Sequence, residues 1–145
     1  TYSGLSLVIP TTPTNLISLI KGLTPASGTL SPFFNTTTDK LNVFNDDRSL
    51  QFKINLTGSW TSSSGNRSIS LDFSSTANNK LTANRVNNIT PDTVQLSTFF
   101  SISKNGNLVT NGTPIMIQSF GSTFTVTDIL LIADQETIET VISAV

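Results

Sequence analysis

The sequence predicts an all-β fold, a two-sheet jelly-roll sandwich, and three observations carry that prediction. Residues 50–57 alternate strictly, with Leu50, Phe52, Ile54 and Leu56 separated by Gln51, Lys53, Asn55 and Thr57. A period of two puts the apolar set on one face of a strand, and such a strand needs a second layer to bury that face. Comparable short runs recur along the chain with turn residues between them, the pattern of sandwiches and jelly rolls. Ser, Thr and Asn make up roughly two-fifths of the 145 residues, a bias towards turns and strand surfaces.

Taken in order, Tyr2 to Ile9 alternates with Leu5, Leu7 and Ile9 on one face until Pro10 and Pro13 end the pattern. Asn15 to Lys21 is a second short apolar run, and the stretch to Pro32 is loop, interrupted every few residues by Gly or Pro. Residues 1–32 thus read as N-terminal strands, neck and loop within one head domain spanning 1–145. Phe33, Phe34, Leu41, Val43 and Phe44 anchor a short strand or two. After the central run, Gly58 and Trp60 lead into a turn at 61–66, and Ile69, Leu71 and Phe73 return as the second arm of a hairpin. Residues 74–88 are poor in apolar side chains and read as surface, with room for a weak edge strand. Val94, Leu96, Phe100 and Ile102 share the face of the next strand. Asn105-Gly106 then signals a tight hairpin because both residues tolerate positive φ, with Leu108 to Thr110 as the return. Residues 114–120 and 124–132 complete the strands. The tail 137–145 fits a helical stripe through Ile138, Val141, Ile142 and Val145, but its β-branched residues in an all-β context favour a strand.

Composition excludes several classes of function. The net charge is −1 and 12% of residues are charged, so the positive field of a nucleic-acid binder is missing. The longest uncharged apolar run, Ile129 to Ala133, is far shorter than the ~20 residues of a membrane helix, so no membrane insertion is expected. The chain has no Cys and no His, which removes disulfides, thiolate sites, the commonest general base and the commonest zinc ligand. Asp46-Asp47 invites a glycosidase reading, but neighbouring residues point apart, whereas that chemistry needs two carboxyl groups facing each other across about 5 to 9 Å. With Asn45 and Arg48 around them they read as a turn. No metal site, cofactor or enzymatic activity is expected. Trp60 beside Ser59 and Thr61 is a candidate sugar-stacking platform, the alternative being a strand-end Trp lying over the core.

Ile129 to Ile132 is apolar on both faces. Ile129 and Leu131 are expected to point opposite to Leu130 and Ile132, and Phe99 opposite to Phe100. A monomer would leave Phe99, Ile129 and Leu131 in water, so they are the candidate lining of a homotrimer interface.

The order of pieces LQFKINLTGSW, RSISLDF, FFSISKNGN, TPIMIQSF and STFTVTDILLI resembles the globular heads of the tumour necrosis factor and complement-type family, compact trimeric jelly rolls at the C-terminus of longer, stalked proteins. The polar, cysteine-free surface is most similar to viral heads of this type, such as the vertex spike of tectiviruses, the tailless membrane-containing bacteriophages. That resemblance implies a non-enzymatic homotrimeric spike head at a capsid vertex on the virion surface, with a host-surface receptor and other vertex proteins as partners. A carbohydrate-binding module built on Trp60 and the head of a bacterial collagen-like surface protein are the alternative readings. For a head of this kind the polar loop tips are the candidate receptor contacts, here Asn79, Asn84, Arg85 and Asn105.

Overall fold

The alternation at 50–60 becomes an 11-residue strand flanked on both sides by partners, in a computed structural model that describes residues 1–62, 65–76, 78–86, 90–136 and 141–143. In chain order the strands are β1 (Leu7–Ile9), β2 (Thr14–Asn15), β3 (Phe34–Asn35), β4 (Lys40–Leu41), β5 (Leu50–Trp60), β6 (Arg67–Asp72), β7 (Lys80–Arg85), β8 (Asp92–Phe100), β9 (Met116–Phe120) and β10 (Phe124–Asp134). Among the described residues two short helices interrupt them, α1 (Leu16–Ile20) and α2 (Asn107–Asn111). One four-stranded antiparallel sheet runs β1-β10-β5-β8, the other runs β2-β9-β6-β7, and β3-β4 is a separate small hairpin. The expected all-β two-sheet sandwich is what the chain forms.

The core lies between the two sheets. Leu50, Phe52, Ile54 and Leu56 of β5 are buried, as are Val94 and Leu96 opposite them on β8 and Ile69 and Leu71 on the facing sheet. Phe73 stands edge-to-face against Phe52 at 5.2 Å and against Phe100 at 4.9 Å, so three aromatic rings join the sheets at one end.

The late strand departs from the expected register. The β10–β5 ladder pairs Val126 with Gly58 and then Asp128 with Thr57, so Thr127 is an extra residue, a β-bulge. One inserted residue reverses the inward phase. Phe124 and Val126 face the core before the bulge. After it, Ile129 lies opposite Leu56 and Leu131 opposite Ile54, both on the core side. Ile129 is 2% exposed and its backbone bridges Tyr2. The expected outward orientation of Ile129 and Leu131 is therefore corrected: the outward pair is Leu130 and Ile132, opposite Asn55 and Lys53. Gly58 belongs to the same irregularity, because a Cβ there would collide with the Thr125 carbonyl oxygen.

Two other expectations change. Asn105 does adopt positive φ (60°), but Gly106 then caps α2 instead of opening a return strand over Leu108 to Thr110. The helical turn is held by Asn111 Nδ2 donating to Asn107 Oδ1 one turn away (2.7 Å), while Leu108 packs on the core. The run at 15–21 holds α1, capped by Asn15 Oδ1 accepting from Ser18 N. Of the tail, residues 141–143 carry no regular structure, and 137–140 and 144–145, where a strand was expected, lie outside the described residues.

Candidate interface surfaces

Three surfaces follow from this frame. The first is the outer face of the β1-β10-β5-β8 sheet. Alternation places Gln51, Lys53, Asn55 and Thr57 there, with Leu130 and Ile132 on one side and Gln95, Ser97 and Phe99 on the other. Phe99 is 64% exposed and Ile132 41% exposed, and Lys53 sits between them with no carboxylate within ion-pair distance among the described residues. Phe99, Ile132, Gln51 and Lys53 line an open cleft of about 440 Å³. Of the residues expected at a subunit interface, Phe99 lies on this face, whereas Ile129 and Leu131 lie beneath it.

The second surface is the sandwich end where β5 passes to β6. Here four inward-facing positions carry polar or amphipathic side chains. Trp60 is 7% exposed, with its ring against Phe124 (4.8 Å between centroids). Its Nε1 donates to Asp92 Oδ2 at 3.0 Å, and Arg85 Nε donates to both oxygens of the same carboxylate at 2.9 and 3.1 Å. Asp92 is thus satisfied by one cation and one indole, and the three residues close the end of the core. Trp60 offers no free face to a sugar, which corrects its reading as a stacking platform. Arg67 is 1% exposed with its Cζ 5.8 Å from the Trp60 ring centroid. Its Nη1 donates to Ser62 O (2.8 Å) and Nη2 to Val86 O (3.3 Å), while Nε has no partner. One buried guanidinium thereby ties together the β5–β6 and β7–β8 connections. Thr61 and Thr123 share a hydroxyl–hydroxyl bond, and Thr61 N donates to Thr123 O at 3.0 Å, which adds the β9–β10 connection.

Composition-led reading missed this plug because charged residues were assigned to the surface. The signal was nevertheless in the spacing: Arg67 shares parity with Ile69 and Leu71, Asp92 with Val94 and Leu96, and Arg85 with Ala83 and Leu81.

The third surface is the opposite end. Asn79 and Asn105 sit there in neighbouring turns, which Asn107 Nδ2 links by donating to Ser75 O. Asn84 instead lies exposed on the outer side of β7, opposite Ser68, and Arg85 turns inward to Asp92. The four loop-tip candidates therefore do not form one site. Asp46 and Asp47 occupy a turn in which Asn45 Oδ1 accepts from Asp47 N, as their sequence suggests.

Comparison with known proteins gives two matches. The model of the Sf6-type phage tail needle knob, or tip, of some Caudovirales matches residues 1–135. The tail needle protein of Shigella phage Sf6 is 50% identical over 134 residues, covering 92% of this chain and 48% of that protein. The chain thus spans about half the length of this curated relative.

Proposed function

The chain belongs to the Sf6-type phage tail needle knob family, and from that premise we propose that it forms the homotrimeric knob at the distal end of a phage tail needle and takes part in host-cell attachment. The family makes it a viral tail component of a structural kind, so the reading as the head of a bacterial collagen-like protein gives way. Its position on the virion is read as the tail tip rather than a capsid vertex, following the family's description as needle knob or tip.

The observation that carries the assembly is the outer face of the β1-β10-β5-β8 sheet. Phe99 and Ile132 stand exposed beside Leu130 on an otherwise polar sheet, and a single cation separates them. An apolar group of this kind on a flat sheet is covered at low cost by a symmetric copy of the same face. Three copies would enclose Phe99 and Ile132 and leave the loops at the sandwich ends free.

Antibodies raised against the purified chain test the placement. They are expected to decorate the tip of the tail in electron micrographs of intact particles. Decoration of capsid vertices away from the tail would overturn it.

A further inference from the structure

The outer face of the second sheet, β2-β9-β6-β7, lies on the opposite side of the sandwich from Phe99 and Ile132. Ser68, Ser70 and Asp72 of β6 point out of it, since Ile69 and Leu71 point into the core. In the ladder Ser68 pairs with Phe120 of β9 on one side and Asn84 of β7 on the other, while Asp72 pairs with Lys80 of β7. Phe120 is 38% exposed, and Lys80 Nζ lies 5.8 Å from its ring centroid. The two side chains start from opposite sides of β6, one level with residue 68 and the other with residue 72, so each stretches towards the other across the strand. Ser70, midway between those positions, faces outward yet is only 2% exposed, and forms the floor beneath them. Lys80 thereby leans away from Asp72, its direct cross-strand neighbour, and makes no ion pair with any carboxylate among the described residues.

We propose that this face is a binding site for an acidic saccharide, a sugar ring carrying one carboxylate or phosphate group. The inference rests on the reading of the chain as a needle knob that takes part in attachment, and it names the ligand class and the surface. Phe120 offers an apolar ring to the C–H face of a sugar, and Lys80 offers a cation to its acid group. Thr82 and Asn84, exposed on the same face, supply single donors and acceptors for its hydroxyls. The alternatives fit less well. The centre of a protein interface is about 65% apolar, whereas Phe120 and Met116 are the only apolar side chains at the outward positions of β6, β7 and β9. A neutral sugar would desolvate the Lys80 ammonium without pairing it. Nucleic acid and anionic lipid surfaces call for several cations, and Lys80 is the only one at these outward positions, with Asp72 beside it to oppose a closely spaced polyanion. In the proposed trimer this face turns outward, so three copies are presented and weak single contacts add through avidity.

Binding of the purified chain to immobilised acidic bacterial polysaccharides, each beside its carboxyl-reduced or dephosphorylated counterpart, tests the inference. Retention is expected on acidic polymers, should be lost on the neutral counterparts, and should weaken as NaCl rises from about 0.05 to 0.5 M. Lys80→Gln should weaken it about fivefold, the loss of one exposed ion pair, and Phe120→Ala about tenfold. Phe120→Tyr, which keeps the ring, should bind as the wild type does. Lys104→Gln, an exposed cation elsewhere, should leave retention unaltered. Binding that survives both Lys80→Gln and Phe120→Ala, or that falls as far with Lys104→Gln, would overturn the proposal. Equal retention on acidic and neutral counterparts, or none on any acidic polymer, would do the same. Binding to whole cells that trypsin treatment of the cells abolishes would assign the surface to a protein partner instead. A chain that decorates the needle tip but binds no acidic polymer fails this inference alone, whereas absence from the tail tip removes the premise.

Discussion

Phe52 shows what a single residue contributes to this fold. It is buried between the sheets and touches Phe34 and Phe73 edge-to-face, so Phe52→Ala removes a ring and leaves a cavity that β5, held on both sides, cannot collapse. A loss of about 3–5 kcal/mol is expected in denaturant unfolding. Asp92 behaves differently, because it holds two donors at once. Asp92→Ala would strand the Trp60 indole N–H and the Arg85 guanidinium at the end of the core, and we expect a loss of about 2–4 kcal/mol. Part of the Arg85 side chain keeps contact with water, which holds the figure below that of a fully buried pair. Asp92→Asn keeps an acceptor for the indole and should cost less than the Ala variant. Equal losses in thermal unfolding of the two would show that the carboxylate's charge, and not its acceptor for the indole, carries the whole contribution. Individual residues were legible in the sequence where alternation was clean: Leu50, Phe52, Ile54 and Leu56 read as core from spacing alone. Arg67 and Asp92 were equally marked by parity but hidden by their polarity, since composition assigns charge to water before it considers a closed end of a core.

At the scale of elements, the decisive feature is the bulge at Thr127. Two adjoining residues there share one partner position, and everything after them changes face. Spacing could not locate the bulge, because Ile129 to Ile132 is apolar in either phase and both registers look acceptable. The ladder chooses the one in which Ile129 meets Leu56 and Tyr2. Inserting one Ala between Asp128 and Ile129 would reverse the phase once more, turning Leu130 and Ile132 into the core and Ile129 and Leu131 out of it. We expect that variant to lose cooperative unfolding, whereas Thr127→Ala, which keeps the count, should shift stability by less than about 1 kcal/mol. A cooperative insertion variant would show that the register is set elsewhere. Gly58→Ala belongs to the same test, because its Cβ would meet the Thr125 carbonyl and the backbone would have to move. The Asn105-Gly106 turn shows the other limit of reading elements. The positive φ was foreseeable from the residue pair, but whether the chain then turns into a strand or a helix depends on the Asn107–Asn111 side-chain bond and on where Leu108 finds the core.

At the scale of the whole molecule, the two faces of one sheet separate stability from assembly. Ile129 and Ile132 are three residues apart on β10, both aliphatic, and face opposite ways. Ile129→Asp would bury a carboxylate beside Leu56 with no cation to pair it, and the monomer itself should fail to fold. Ile132→Asp places the same carboxylate on the outer face near Lys53, where water already reaches it, so the monomer should fold with near-native unfolding. In the proposed trimer, however, that face closes, and Ile132 and Phe99 lose their exposure together. Covering them contributes about 1–2 kcal/mol per side chain in each subunit, multiplied over three interfaces. Ile132→Asp combined with Phe99→Asp should therefore yield a folded monomer, with native circular dichroism and one third of the wild-type mass in sedimentation equilibrium. A wild type that sediments as a monomer at micromolar concentration would remove the trimer, and a double variant that remains trimeric would move the interface to another face of the sandwich.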